Sequence, residues 1–121
     1  MFYLVVAGSR SFSDYARMEK DLDRLLSVKV KNGDSVAIVT GACPSGADAL
    51  AARYAAARGL ELREFPAAWA RWGKFAGPIR NRHMAEFGHA LVAYWDGRSA
   101  GTADMIRQAG ICGLRVVVRR F

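Results

Sequence analysis

A chain of 121 residues, 52% hydrophobic and 24% charged, has the size of one domain spanning residues 1–121, and this balance excludes a disordered or fibrous class. No apolar stretch approaches the ~20 residues that cross a bilayer, and the opening apolar run is too short and too poor in basic residues for a signal peptide, so a cytoplasmic, unprocessed protein with no membrane partner is expected. Lysine and arginine outnumber aspartate and glutamate by 18 to 11, and the resulting net charge of +7 favours anionic partners without choosing between a nucleotide and a nucleic acid.

In chain order, Phe2–Ala7 is a continuous apolar run with two valines, which predicts a strand buried on both faces. Ser13 is placed to cap the helix that follows, where Met18, Leu22, Leu25 and Leu26 recur at helical spacing until Asn32-Gly33-Asp34 ends the unit. Val36–Val39 is the second strand. Ala47, Leu50, Ala51, Tyr54 and Ala55 then share one face of a helix that stops at Gly59, and the alternation over Leu60–Phe65 predicts a third strand at a sheet edge. From Pro66 to Pro78 two tryptophans, two prolines and two glycines follow no period, which predicts a loop with short helical turns. A helix is expected over Ile79–Phe87, a fourth strand over Ala90–Trp95, a last helix with Thr102, Met105, Ile106 and Ala109 on its apolar face, and a fifth strand over Leu114–Val118.

Strands alternating with helices, without internal repeats, imply an α/β fold: a three-layer sandwich around a five-stranded parallel sheet, wound most simply in the order 3-2-1-4-5. That order makes strands one and four neighbours at a topological switch point. Ligands of open α/β sheets bind outside the carboxyl ends of strands at such a crevice. Three turns converge there: Gly8-Ser9-Arg10, Gly41-Ala42-Cys43-Pro44-Ser45-Gly46-Ala47-Asp48, and Asp96-Gly97-Arg98-Ser99-Ala100-Gly101-Thr102.

Each turn leaves a strand and opens a helix, where glycine permits close backbone approach and free N–H groups attract anions. Gly8, Ser9 and Arg10 supply amides, a hydroxyl and a guanidinium suited to a phosphate. The Gly41, Ala42, Gly46 turn matches neither G-x-x-x-x-G-K-[ST] nor G-x-G-x-x-G, which argues against Walker-type ATP hydrolysis. Asp48 near a helix start suits either the helix dipole or a ribose hydroxyl. Ser99, Gly101 and Thr102 suit a phosphate or the adjoining sugar, and Arg80 with Asn81 adds a guanidinium and an amide. Cys43 and Cys112 show no metal-ligand or disulfide spacing, and His83 and His89 lack companion ligands, so no metal site is expected.

Five ordered motifs carry a family likeness: Ala7-Gly8-Ser9-Arg10-x-Phe12-x-Asp14, Thr40-Gly41-Ala42-x-x-x-Gly46-Ala47-Asp48-x-Leu50-Ala51, Phe65-Pro66-Ala67-x-Trp69, Ala76-Gly77-x-x-Arg80-Asn81-x-x-Met84 and Asp96-Gly97-x-Ser99-x-Gly101-Thr102. Together they resemble the YspA-like, YpsA-related branch of the SLOG superfamily. The resemblance implies a Rossmann-like fold, a bacterial or phage source, and binding of a nucleotide or a nucleotide derivative of the AMP, NAD or ADP-ribose class, as a sensor or a weak hydrolase. Relatives in that superfamily include the LOG phosphoribohydrolases and a DNA-processing protein that binds single strands.

The LOG hydrolases carry P-G-G-x-G-T-x-x-E, whose glutamate serves cleavage of an N-glycosidic bond; Met105 falls at that position here. A thioether is no acid, base or charge-stabilising carboxylate. Two alternatives stay open: an N-glycosidic nucleotide hydrolase using Asp48, Asp96 or Asp104, and single-stranded nucleic-acid binding through the basic surface with Trp69 and Trp72. Self-association is equally open.

Overall fold

Valines and other apolar residues at nearly every position of Phe2–Gly8 make this segment, β1, the central strand, buried on both faces. A computed structural model describes residues 1–121. Leu4 stands in register with Ile38 of β2 (Val36–Thr40) on one side and with Ala90 of β4 (Ala90–Trp95) on the other. With β3 (Glu61–Glu64) outside β2 and β5 (Arg115–Arg120) outside β4, the sheet is five-stranded, wholly parallel and ordered β3-β2-β1-β4-β5.

Helices cover both faces. On one, α1 (Tyr15–Lys31) lays Met18, Leu22 and Leu26 on Leu4, Val6 and Ile38, while α2 (Gly46–Arg58) approaches through the small residues Ala47, Ala51 and Ala55. On the other, α4 (Ala76–Phe87) and α5 (Ala100–Ile111) press Met84, Ala85, Met105 and Ala109 against Val5, Val39 and Leu91. The result is a Rossmann-like three-layer α/β sandwich. No helix is long and apolar enough to cross a membrane.

Three local expectations are corrected. Asp14, not Ser13, caps α1, accepting the Arg17 N–H at 3.0 Å on its carboxylate, which suits the positive end of the helix dipole. The Pro66–Pro78 stretch holds the short helical turns expected of it, α3 (Trp69–Trp72) and a single 3₁₀ turn, but these lead into an α4 that begins at Ala76, three residues before the expected Ile79. Pro78 is tolerated there because the first-turn N–H groups have no intrahelical acceptor to lose. Finally, β3 is shorter than Leu60–Phe65, and β5 runs two residues beyond Val118, because edge pairing follows the partner strand's register rather than the apolar run.

Candidate functional site

Where β1 and β4 part at their carboxyl ends, a cavity of about 480 Å³ opens between four segments. The β1–α1 turn contributes Gly8, Ser9, Arg10 and Ser11; the β2–α2 turn contributes Gly41, Cys43 and Asp48; α4 contributes Arg80, Asn81 and Met84; and the β4–α5 turn contributes Asp96, Ser99, Gly101, Thr102 and Met105. Ten of the twelve residues singled out as ligand-facing from sequence therefore meet in one hollow.

Ala42 and Gly46 do not line it. Ala42 sits in left-handed backbone at φ 63, its N–H donating back to the Thr40 hydroxyl at 3.2 Å. Gly46 packs beneath the β1–α1 turn, and the adjoining Ala47 N–H donates to the Ser9 carbonyl at 3.4 Å. Of the three candidate carboxylates, Asp104 also lies outside the cavity: it accepts from Asn81 Nδ2 at 3.0 Å and from Arg107 Nη2 at 2.8 Å. Conversely, Ser11, Cys43 and Met84 belong to the wall without having been singled out as ligand-facing. The signal for Met84 was present, since it follows Arg80 by one helical turn.

Arg80 is the best-anchored group of the site. Its Nη1 donates to the Gly41 carbonyl at 2.7 Å and to the Phe65 carbonyl at 3.4 Å, and its Nε donates to Asn81 Oδ1 at 3.0 Å. A Cβ on Gly41 would collide with this guanidinium, so glycine is what lets the arm reach the loop. Asn81 then passes the link on, donating to the Gly101 carbonyl at 3.2 Å. Two successive residues of α4 thus tie the β2–α2 loop to the first turn of α5.

Asp48 faces the same loop and accepts the Cys43 N–H at 3.1 Å. Burial pushes its carboxyl above the usual range, outweighing the Cys43 bond and the attraction of Arg80. Burial likewise lowers Arg80, although Asp48 opposes that shift. No ion pair joins the two. Burial thus works against the charged form of both groups.

Because the folded-state carboxyl of Asp48 titrates above its unfolded value, its contribution to stability is full in acid and is lost as pH rises through the raised value. Asp48→Asn, which keeps an acceptor for Cys43, is expected to match the wild type near pH 4 and to be the more stable protein at pH 7. Urea midpoints at the two pH values check this; a difference independent of pH would contradict it.

At the β4–α5 turn, Asp96 Oδ1 accepts the N–H groups of Ser99 and Arg98, each at 2.8 Å, and these bonds hold its carboxyl below the ordinary range. The Asp96 N–H donates to the buried Ser9 hydroxyl at 3.3 Å, stitching the first and third turns together. Ser99 caps α5 by accepting the Thr102 N–H at 3.5 Å. The amides of Arg10, Ser11, Ala100 and Gly101 carry no intramolecular partner. Met84 and Met105, both buried, supply the apolar part of the wall. No three histidine, cysteine or acidic side chains gather as a metal-ligating group.

The sequence model of the YspA, cpYpsA-related SLOG family, abbreviated YAcAr, matches residues 2–72. This span is more than half of the chain and carries β1, β2, β3 and the first two turns of the cavity. No curated protein matches the chain.

Proposed function

We propose, from the premise that this chain belongs to the YspA, cpYpsA-related SLOG family, that it binds a nucleotide or nucleotide-derived ligand of the AMP, NAD or ADP-ribose class at the carboxyl ends of β1, β2 and β4. One observation carries the reading: anion-attracting and hydroxyl-accepting groups line a single cavity. The unpartnered amides at the starts of the β1–α1 turn and α5, with Arg10 and Arg80, form the phosphate side. Asp48 and Asp96, which would repel a phosphate, suit ribose hydroxyls. A volume of about 480 Å³ accommodates a ligand of this class.

The role fitted best is that of a sensor or a weak hydrolase. Met105 contributes a buried thioether where a carboxylate would be needed to stabilise charge on the ribose, and Asp104 is occupied by Asn81 and Arg107. The hydrolase alternative rests on Asp48 and Asp96, the two acidic residues of the cavity wall. Calorimetric titration with AMP, NAD and ADP-ribose tests the binding, and chromatography of the mixtures tests the chemistry. Saturable binding of at least one compound without release of free base is the expected result. Failure of all three to bind removes the reading, and turnover on the order of 1 s⁻¹ moves the protein to the hydrolases.

A further inference from the structure

Arg80 borders two hollows. Beside the main cavity lies a groove of about 250 Å³ walled by Phe65, Pro66, Trp72, Ile79 and His83, with Glu64 also lining it. The same Nη1 atom of Arg80 donates to the Gly41 carbonyl of the cavity and to the Phe65 carbonyl of the groove, so one guanidinium borders both. The groove alone falls below the ~300–1,000 Å³ of independent ligand sites, and Arg80 is the one residue that lines both it and the larger cavity. Its most prominent side chain, Trp72, stays 44% exposed although the Arg71 guanidinium lies 4.8 Å from its ring centroid.

We propose that the groove is a base subsite: Trp72 stacks on the aromatic base of the nucleotide whose sugar and phosphate occupy the main cavity. The inference rests on the functional reading above and extends it to the class of ligand, a nucleotide carrying an aromatic base in preference to a bare sugar phosphate. An indole offers a flat, polarisable surface that pairs with a base face, and the planar Arg80 guanidinium between the hollows supports both stacking and phosphate contact. Glu64 supplies an acceptor for an exocyclic amino group. The same acid disfavours the competing occupant, a single-stranded nucleic acid laid along Trp69, Trp72 and Phe75, because it would face the phosphodiester backbone.

Calorimetry with ribose 5-phosphate, AMP and ADP-ribose separates the two levels of the argument. The wild type is expected to bind AMP or ADP-ribose about tenfold or more tightly than ribose 5-phosphate, the usual worth of one stacked base. Trp72→Ala should abolish that advantage and leave ribose 5-phosphate binding unchanged, while Trp72→Phe should keep most of it. Undiminished AMP and ADP-ribose affinity in Trp72→Ala overturns the base subsite and leaves the main cavity's function standing. No binding of any probe to the wild type overturns both. A salt-sensitive affinity for a thymidine oligonucleotide that Trp72→Ala alone destroys, with AMP binding unaltered, overturns the proposal and assigns the aromatic strip to nucleic acid.

Discussion

Gly46→Val is expected to lower the free energy of unfolding by about 3–4 kcal/mol, the sum of a left-handed backbone forced on a branched residue and an overpacked contact. Gly46 opens α2 at φ +69, and a Cβ there would stand 2.5 Å from the Ser9 carbonyl oxygen and 2.8 Å from the Arg10 carbonyl carbon. Both obstacles are backbone, which cannot swing aside as a side chain does. A loss of this size is a large share of the ~5–15 kcal/mol that holds a domain together. Urea unfolding with an unchanged denaturant slope checks it; a loss below about 1 kcal/mol would mean that the β1–α1 turn yields freely. Gly101→Ala is the control, since a Cβ there meets no atom within 4 Å, and its stability should be unchanged or slightly raised.

Arg80→Ala is expected to weaken binding of AMP or ADP-ribose by about 1.5–3 kcal/mol, tenfold to a hundredfold, as removal of a charge-assisted donor does. The effect has two sources. Direct contact is lost, and the Gly41 carbonyl loses the donor that holds the β2–α2 loop in place. Arg10→Ala tests the first source by itself, because Arg10 is exposed and makes no hydrogen bond within the protein. Amide exchange at Gly41–Cys43 tests the second: it should quicken in Arg80→Ala and stay unchanged in Arg10→Ala. Arg80→Lys should restore little, since an ammonium cannot reproduce the planar fork that reaches Gly41, Phe65 and Asn81 together. Equal affinity in all variants would remove both arginines from the binding process.

The sheet was legible because burial on two faces leaves a simple trace, an unbroken apolar run. β1, β2 and β4 were therefore located to within a residue at each end. β3, at Glu61–Glu64, lies within a residue of its expected ends too, whereas β5 overruns its expected end: an edge strand answers to the register of its single neighbour, and Arg119 and Arg120 extend β5 without any apolar signal. In the site, the glycine turns announced a crevice, but not which residues would face it. Gly46 looked like a ligand-facing glycine when its lack of a side chain serves packing against Ser9 and Arg10. The sequence marks Arg80 as a guanidinium available to the site, but its contact with Gly41 joins residues 39 positions apart, a relation no local pattern contains.

The strand order also governs how the molecule comes into being. All four strand pairings are parallel, so none is a hairpin that could close locally; the central pairing must bring Leu4 to Ala90. Non-local pairings of this kind place a fold among the slower small domains, because chain entropy is lost before contacts reward it. β1, β2 and β3 with α1 and α2 can associate while α4, β4 and α5 are still unmade, yet that early half holds only two of the cavity's four walls. The cavity is therefore complete only once α4, β4 and α5 have docked on the first half.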